Sequence, residues 1–511
     1  MNAPSNRNLF AILARRFPED PEAPLIETAD GKVRSYGQVL AESARMAHAL
    51  LAAGARPGER VMVQVEKTPE AVALYLAALR IGAIYLPLNT GYRRDEVAYF
   101  LADAEPRVVV CGPASPLNDP TLTGRAGATV LTLDEQGQGS LMLAAADRPS
   151  RIETFACADE TIAAILYTSG TTGKPKGAML SHGNLSSNAE ALHEIWHIGP
   201  QDRLLHALPL FHTHGLFVAL NTTLLNGTSM IFLRHFDAAE VIRLLPRATV
   251  MMGVPTFYSR LLATPAFGRD CCTSMRLFIS GSAPLTTETF NAFKARTGHT
   301  ILERYGMTEA NMITSNPYEG ERVAGSVGFP LPGITVRIAD EEGRPLPQGQ
   351  VGGIEVKGPN IFQGYWRNPE KTRSEFRPDG FFITGDVGQI DGRGYLHIVG
   401  RSKDLIISGG YNVYPKEVET VLDALPGVAE TAVIGVPHAD YGEAVVAVVV
   451  PTPGARPAEG EIIAGAREHL AGYKLPKAVF LVDQLPRNAM GKIEKAKLRE
   501  SYKTTFAQDR S

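Results

Sequence analysis

The sequence predicts an α/β protein with a large N-terminal domain, holding two doubly wound βα sheet subdomains and a small β-barrel, and a smaller α+β C-terminal domain. Three observations carry this. Helical periodicity alternates with β-branched runs from Tyr36 to Cys111 and again from Leu180 to Ser280, the pattern of parallel sheets covered by helices. Between Gly325 and Gly394 the texture changes to short β runs punctuated by Gly, Pro and Asp. Beyond Gly400 strands and helices resume in a shorter unit. The polar segment Gly400–Asp404 between the two textures is the candidate hinge, which divides the chain into 1–402 and 403–511.

Taken in order, Tyr36 to Ala53 sets Leu40, Ala44, Met46, Leu50 and Leu51 near one helical face, with Gly54 as cap and Val61 to Val65 as the next strand. Pro69 opens a helix to Arg80, Ile84 to Leu88 is a strand, Val97 to Asp103 is helical, and Arg107 to Cys111 is a strand. Pro113 to Ala128 is polar and rich in Pro and Gly, so a loop is expected there. Leu180 to Ile195 reads as a helix. It is followed by a strand at Leu204 to Leu208, a loop at Pro209 to His214 and a long apolar helix from Gly215. The βα pattern then continues through strands at Met230, Val250 and Leu277. In the tail, Pro415 starts a helix, Val428 to Val436 and Ala444 to Val450 are strands, and Glu461 to Leu470 is a helix.

At 511 residues the chain is long enough for about three units of roughly 150 residues. With 44% hydrophobic and 21% charged residues and a net charge of -3, it lacks the cationic field that nucleic acid requires, so no nucleic-acid partner is expected. Cys111, Cys157, Cys271 and Cys272 have no metal-ligand spacing and read as buried thiols in a reducing compartment. The apolar stretch Gly215–Leu233 is broken by Asn221, Thr222, Thr223, Asn226 and Gly227, short of the roughly 20 apolar residues of a membrane span. A cytoplasmic protein without a membrane partner is expected. Arg15 and Arg16 in the amphipathic start leave an organellar transit role open.

Function is concentrated in four constellations. The first follows the apolar run Ile162–Tyr167 and comprises Thr168, Ser169, Gly170, Thr171, Thr172, Gly173, Lys174, Pro175, Lys176 and Gly177. Glycines, hydroxyls and lysines straight after a strand form a loop whose backbone N–H groups and cations can wrap an oligophosphate. Only Thr171 and Thr172 separate Gly170 from Gly173, so this is not a Walker A loop. The string resembles the phosphate-binding loop of the acyl-adenylate-forming superfamily: acyl-CoA synthetases, adenylation domains and firefly luciferase.

The second constellation joins Ser280, Gly281, Ser282, Ala283 and Pro284 to Arg304, Tyr305, Gly306, Met307, Thr308 and Glu309. The resemblance implies that the first loop and Tyr305 flank adenine, Thr308 contacts the α-phosphate and Glu309 holds Mg²⁺. An aromatic face, a hydroxyl and a hard carboxylate suit those parts. In the third, Asp386 would accept the ribose hydroxyls, Arg401 would reach ribose or phosphate, and Lys403 would be the hinge residue. The fourth, Pro486 to Lys492, places a lysine on a glycine-containing loop and matches the superfamily's adenylation lysine. Gly409 and Gly410 would line the pantetheine arm of coenzyme A.

Within the superfamily, the segments His206–Gly215, Met252–Tyr258 and Ala310–Tyr318, the last including Met312, look like malonyl-CoA synthetase, including members that take methylmalonate. The implied reaction joins a small dicarboxylic acid to coenzyme A with ATP and Mg²⁺ through an acyl-adenylate. A dicarboxylate needs a fixed cation, and Arg276 is the candidate; the alternative is a strand-end arginine with a structural partner. His212 is either a pocket wall or a core histidine. Another small, fatty or aromatic acid, a stand-alone enzyme loading a carrier protein, and a luciferase-like oxygenase share the nucleotide motifs. An exposed Lys492 would be open to acylation, which makes a lysine acyltransferase a candidate partner.

Overall fold

The computed structural model describes residues 6–124, 127–168, 175–408, 411–438, 440–488 and 491–506. The fold is α/β, with a large N-terminal domain of sheets and a smaller C-terminal one. The first sheet runs Thr129–Thr132, Val108–Cys111, Arg60–Gln64, Ile84–Pro87, Ile162–Thr168 and Lys176–Ser181 in spatial order. All its neighbours are parallel except the last pair. Four-residue strands such as Val108–Cys111 and Ile84–Pro87 are buried at every position, as a parallel sheet covered on both faces requires.

The second sheet has Pro24–Thr28, Ser229–Phe232, Arg203–His206, Val250–Gly253, Leu277–Ser280 and Leu302–Met307 as a parallel centre. Antiparallel strands close both its edges, Val33–Ser35 on one side and Asn311–Ser315 with Phe329–Pro330 on the other. The helix Tyr36–Ala52 is capped by Ser35, whose side chain accepts from Gln38 N while Gln38 reaches back, and it packs on Pro69–Arg80. An antiparallel sheet of Thr335–Ala339, Gly352–Lys357, Phe382–Ile390 and Leu396–Arg401 accounts for the short β runs. Past Arg401, a further sheet pairs Val428–His438 with Gly442–Pro451 under the helices Pro415–Asp423 and Glu459–Arg467.

Several expectations need correction. Leu180, expected to start a helix, lies instead in the strand Lys176–Ser181, and the helix begins at His182 with Ser181 as its cap. The expected loop Pro113–Ala128 contains short helical turns at Pro116–Asn118 and Pro120–Thr123, each opened by a proline behind a Ser or Asp cap. The apolar helix near Gly215 is π-helical over His214–Leu220 before turning α over Asn221–Leu225. Cys157 and Cys271 are half-buried, unlike Cys111 and Cys272. No helix among the described residues is long and apolar enough to cross a membrane.

Candidate active site

Parallel strands deliver their carboxyl ends to one edge, where a ligand crevice forms. In the second sheet that edge gathers the loops after His206, Gly253, Ser280 and Met307. Ser280 pairs with Glu303, so the turn after Ser280 runs beside Arg304. A Cβ at Gly281 would lie 2.4 Å from Arg304 Cζ, so a side chain there would displace the guanidinium. Ser282 is left-handed at φ 72°, and its Oγ lies 3.2 Å from His214 Nδ1. Ala283 and Pro284 complete the turn, and Leu285 N donates to Glu303 Oε1 at 3.0 Å.

Arg304 is buried to 2% exposure, and burial lowers its pKa to about 9. Its Nε and Nη2 have no hydrogen-bond partner among the described residues. The charge is felt by the histidines opposite. Burial, then Lys492 and Arg304, push His212 down to about 3, while burial and Arg304 hold His214 well below its usual value. Both imidazoles are therefore neutral at physiological pH, and His212 is near enough to Lys492 and Arg304 to feel their charges.

The next residues of the same strand are the ones expected at a nucleotide. Tyr305 Oη donates to Asp386 Oδ2 at 2.5 Å, and Arg401 Nε stands 3.1 Å from Asp386 Oδ1, because Asp386 and Arg401 face each other across an antiparallel pair. Tyr305, Asp386 and Arg401, far apart in sequence, thus form one polar cluster. Gly306 and Met307 close a tight turn onto Met312 and Asn311, with Thr308 and Glu309 at its tip. Met312 is buried, its backbone bracketed by Asn188.

Glu309 is 7% exposed and accepts from Tyr365 Oη at 3.0 Å; burial raises its pKa, with Tyr365 and the Arg401 charge acting in the opposite direction. A single carboxylate beside a polar turn suits Mg²⁺, which takes one or two carboxylates and draws its remaining ligands from phosphate oxygens and water. The residues thus fit that ion.

Lys492 reaches this cluster from the C-terminal loop, which leans on the N-terminal domain where a Cβ at Gly491 would meet Thr256 Oγ1 at 3.3 Å. Burial first, then Arg401, lower the Lys492 pKa to about 8, while Asp386 and Glu309 act to raise it. The side chain is half-buried, not exposed as the sequence suggested. Lys403 lies in the 3₁₀ turn Ser402–Asp404 between the two β units, its pKa also lowered to about 8 by burial and Arg401. Neighbouring Asp404 pairs with Arg499.

Thr168 and Lys176 pair across an antiparallel hairpin, so the phosphate loop joins two strands. The Lys176 ammonium lies 5.4 Å from the Tyr365 ring centroid, on the Glu309 side of the crevice. Ser169, Gly170, Thr171, Thr172, Gly173 and Lys174, like Gly409 and Gly410, lie outside the described residues.

Arg276 does not join the site. It precedes the Leu277–Ser280 strand and sits at the opposite, amino end of the sheet. Its Nε and Nη2 hold the two Asp202 oxygens at 2.8 and 2.6 Å, and it also donates to Trp196 O and His197 O. A guanidinium so occupied has no fork left for a substrate carboxylate. Sequence reasoning missed Tyr365, His214 and Asn311. Tyr365 sits in Gln363-Gly-Tyr-Trp-Arg367, and its bridge to Ala178 is a long-range pairing that no local pattern announces.

The fold and the residues gathered at this edge are those of an AMP-forming acyl-CoA ligase of the acyl-adenylate-forming superfamily. The chain belongs to the AMP-binding enzyme family: residues 12–366 match the AMP-binding enzyme model and 417–492 match the AMP-binding enzyme C-terminal domain. Within that family it lies near malonyl-CoA synthetase. It is 55% identical to ATP-bound MatB from Rhodopseudomonas palustris, with a TM-score of 0.96 over 98% of this chain and 100% of that one. Among curated relatives, the feruloyl-CoA synthase of Amycolatopsis sp is 37% identical over 97% of this chain and 99% of its own length. The malonate–CoA ligase of Arabidopsis thaliana is 34% identical over 93% and 85%.

Proposed function

We propose that the protein forms malonyl-CoA, or methylmalonyl-CoA, from the free dicarboxylic acid, ATP and coenzyme A. The observation that carries this reading is Arg304, a buried guanidinium at the carboxyl edge that forms no ion pair and leaves two nitrogens without a hydrogen-bond partner among the described residues. An unpaired buried charge costs several kcal/mol, roughly, unless a ligand compensates it, and a second carboxylate on the acid does so. Arg304 thereby takes the part first given to Arg276. The likeness to MatB and to a malonate–CoA ligase supports the same acid.

In the first half-reaction the other carboxylate attacks the α-phosphorus of ATP and pyrophosphate leaves. Asp386 and Arg401 hold the ribose, Tyr305 packs on the base, and the phosphate loop retains the β- and γ-phosphates. Mg²⁺ at Glu309 would neutralise phosphate charge. Thr308 donates to the α-phosphate, and the half-buried Lys492 ammonium faces the developing negative charge. In the second half-reaction the thiol sulfur of coenzyme A attacks the acyl carbonyl and AMP leaves. No protein nucleophile is required, since the adenylate is already activated. Rotation of the 403–511 unit about Lys403 would withdraw Lys492 and bring Gly409 and Gly410 to the pantetheine arm. Acylation of Lys492 would silence the first step alone, which keeps a lysine acyltransferase among the candidate partners.

The test is pyrophosphate release with malonate, methylmalonate, acetate, a long-chain fatty acid and ferulate, in the presence and absence of free coenzyme A. Malonate or methylmalonate should give the highest kcat/KM and a coenzyme A thioester. Preference for ferulate or the fatty acid would overturn the dicarboxylate assignment while leaving the ligase class standing.

A further inference from the structure

Asn311 combines two features that rarely persist together. Its backbone is left-handed at φ 48°, and its side chain is 1% exposed with neither Oδ1 nor Nδ2 hydrogen-bonded among the described residues. Asparagine tolerates that backbone region in turns, where water ordinarily satisfies the amide. Here the amide is enclosed.

The flanking backbone prevents it from swinging out. Asn360 Nδ2 donates to Ala310 O at 2.5 Å, and Asn188 accepts from Met312 N at 3.2 Å and donates to Met312 O at 2.8 Å. Gly306 is also pressed onto this turn, since a Cβ there would lie 2.0 Å from Asn311 O. Strain and an unsatisfied buried group, both imposed by neighbours, mark a ligand-binding position.

Its placement narrows the ligand. Asn311 opens the strand antiparallel to Leu302–Met307, which carries Arg304, and follows Glu309 by two residues. That strand packs against the π-helix His214–Leu220, whose His214 experiences the Arg304 charge. The amide and the unpaired guanidinium therefore belong to the same end of the crevice.

We infer that Asn311 is a specificity-determining residue, whose Nδ2–H donates to the second carboxylate of the acid beside the Arg304 guanidinium. This rests on the dicarboxylate reading of the same site. The guanidinium supplies charge, and the amide supplies direction: its N–H attracts one carboxylate oxygen, while Oδ1 repels the other and so selects how the group lies. An acid without that group leaves the amide unpaired in the complex as it is in the free protein.

Asn311→Gly and Asn311→Asp in the full chain test the assignment through KM for malonate and ATP, the rate with propionate, and thermal melting. Glycine accepts the left-handed backbone without strain, so a purely turn-forming role predicts wild-type kinetics in Asn311→Gly. Recognition predicts a loss of about 10- to 100-fold in kcat/KM for malonate in Asn311→Gly and a larger one in Asn311→Asp, which puts an anion against an anion. KM for ATP and turnover of propionate should move less than about threefold. An unchanged malonate constant in Asn311→Gly overturns the role of Asn311 and leaves the dicarboxylate reading intact. Absence of malonate and methylmalonate turnover in the wild type overturns both. If melting shows Asn311→Asp to be unfolded, Asn311→Gly decides.

Discussion

Arg276 and Arg304 stand at opposite ends of neighbouring parallel strands, about 15 Å apart along the strand direction, and their surroundings differ in kind. At the amino end, Arg276 has both Asp202 oxygens, two backbone carbonyls and the Tyr318 ring 5.2 Å away. At the carboxyl end, Arg304 feels the neighbouring Glu303 charge but forms no ion pair, and two of its nitrogens lack any hydrogen-bond partner among the described residues. Asp202 itself is further bound by Gly199 N and Thr249 Oγ1, so the amino end is closed by protein alone. The contrast separates a charge that holds the fold from a charge that awaits a ligand. Incomplete satisfaction, more than residue type, is what marks the site.

The comparison can be broken at several points. Lys492→Ala removes the cation proposed to serve adenylation at the open end, and should lower malonate-dependent pyrophosphate exchange by about 10³-fold. It should still form thioester from supplied malonyl-adenylate; equal loss of both steps would contradict the division of labour. The same lysine sets a pH limb. With its pKa lowered to about 8, the free enzyme keeps the ammonium below that pH and loses it above. The adenylation kcat/KM for ATP should therefore fall as pH rises through about 8, and Lys492→Ala should lack this limb.

Arg304→Gln comes next. It should reduce kcat/KM for malonate by about 100-fold and that for propionate far less, because only the dicarboxylate loses its counter-ion. Equal losses for both acids would assign Arg304 to the fold or to the nucleotide. The smallest kinetic effect belongs to Arg276→Leu, which should leave the malonate-to-propionate ratio unchanged. Its effect is on stability: Asp202, 3% exposed, is left without its guanidinium. Allowing for the quarter exposure of the Arg276 side chain, the loss is about 2 kcal/mol, read as a lower melting temperature. A changed acid ratio in this variant would return Arg276 to the site.

The legibility of the molecule follows the range of the forces involved. Strands and helices of the parallel sheets were legible within a few residues, because β-branched runs and 3.6-residue periodicity are local consequences of burial. Lys176–Ser181 was not, since its pairing back onto Ile162–Thr168 spans a loop with no strand signature of its own. The resemblance to the superfamily brought out Tyr305, Thr308, Glu309, Asp386 and Lys492 as a set, yet their mutual bonds were not readable. Nothing local to Tyr305 says that its hydroxyl meets Asp386, or that Tyr365 meets Glu309.

By itself the sequence determined the α/β fold class and the acyl-adenylate-forming superfamily, since both are written in local periodicity and in short motifs of fixed spacing. Which arginine stands free and which is locked into an ion pair was decided only by tertiary structure. Arg276 and Arg304 are the same residue type near the same strands, and a charge is spent or available according to what long-range folding places beside it. Asp202 arrives beside Arg276 and pairs with it, and no carboxylate among the described residues forms an ion pair with Arg304. The same long-range placement encloses the Asn311 amide, a neutral group whose role no composition or spacing could have announced.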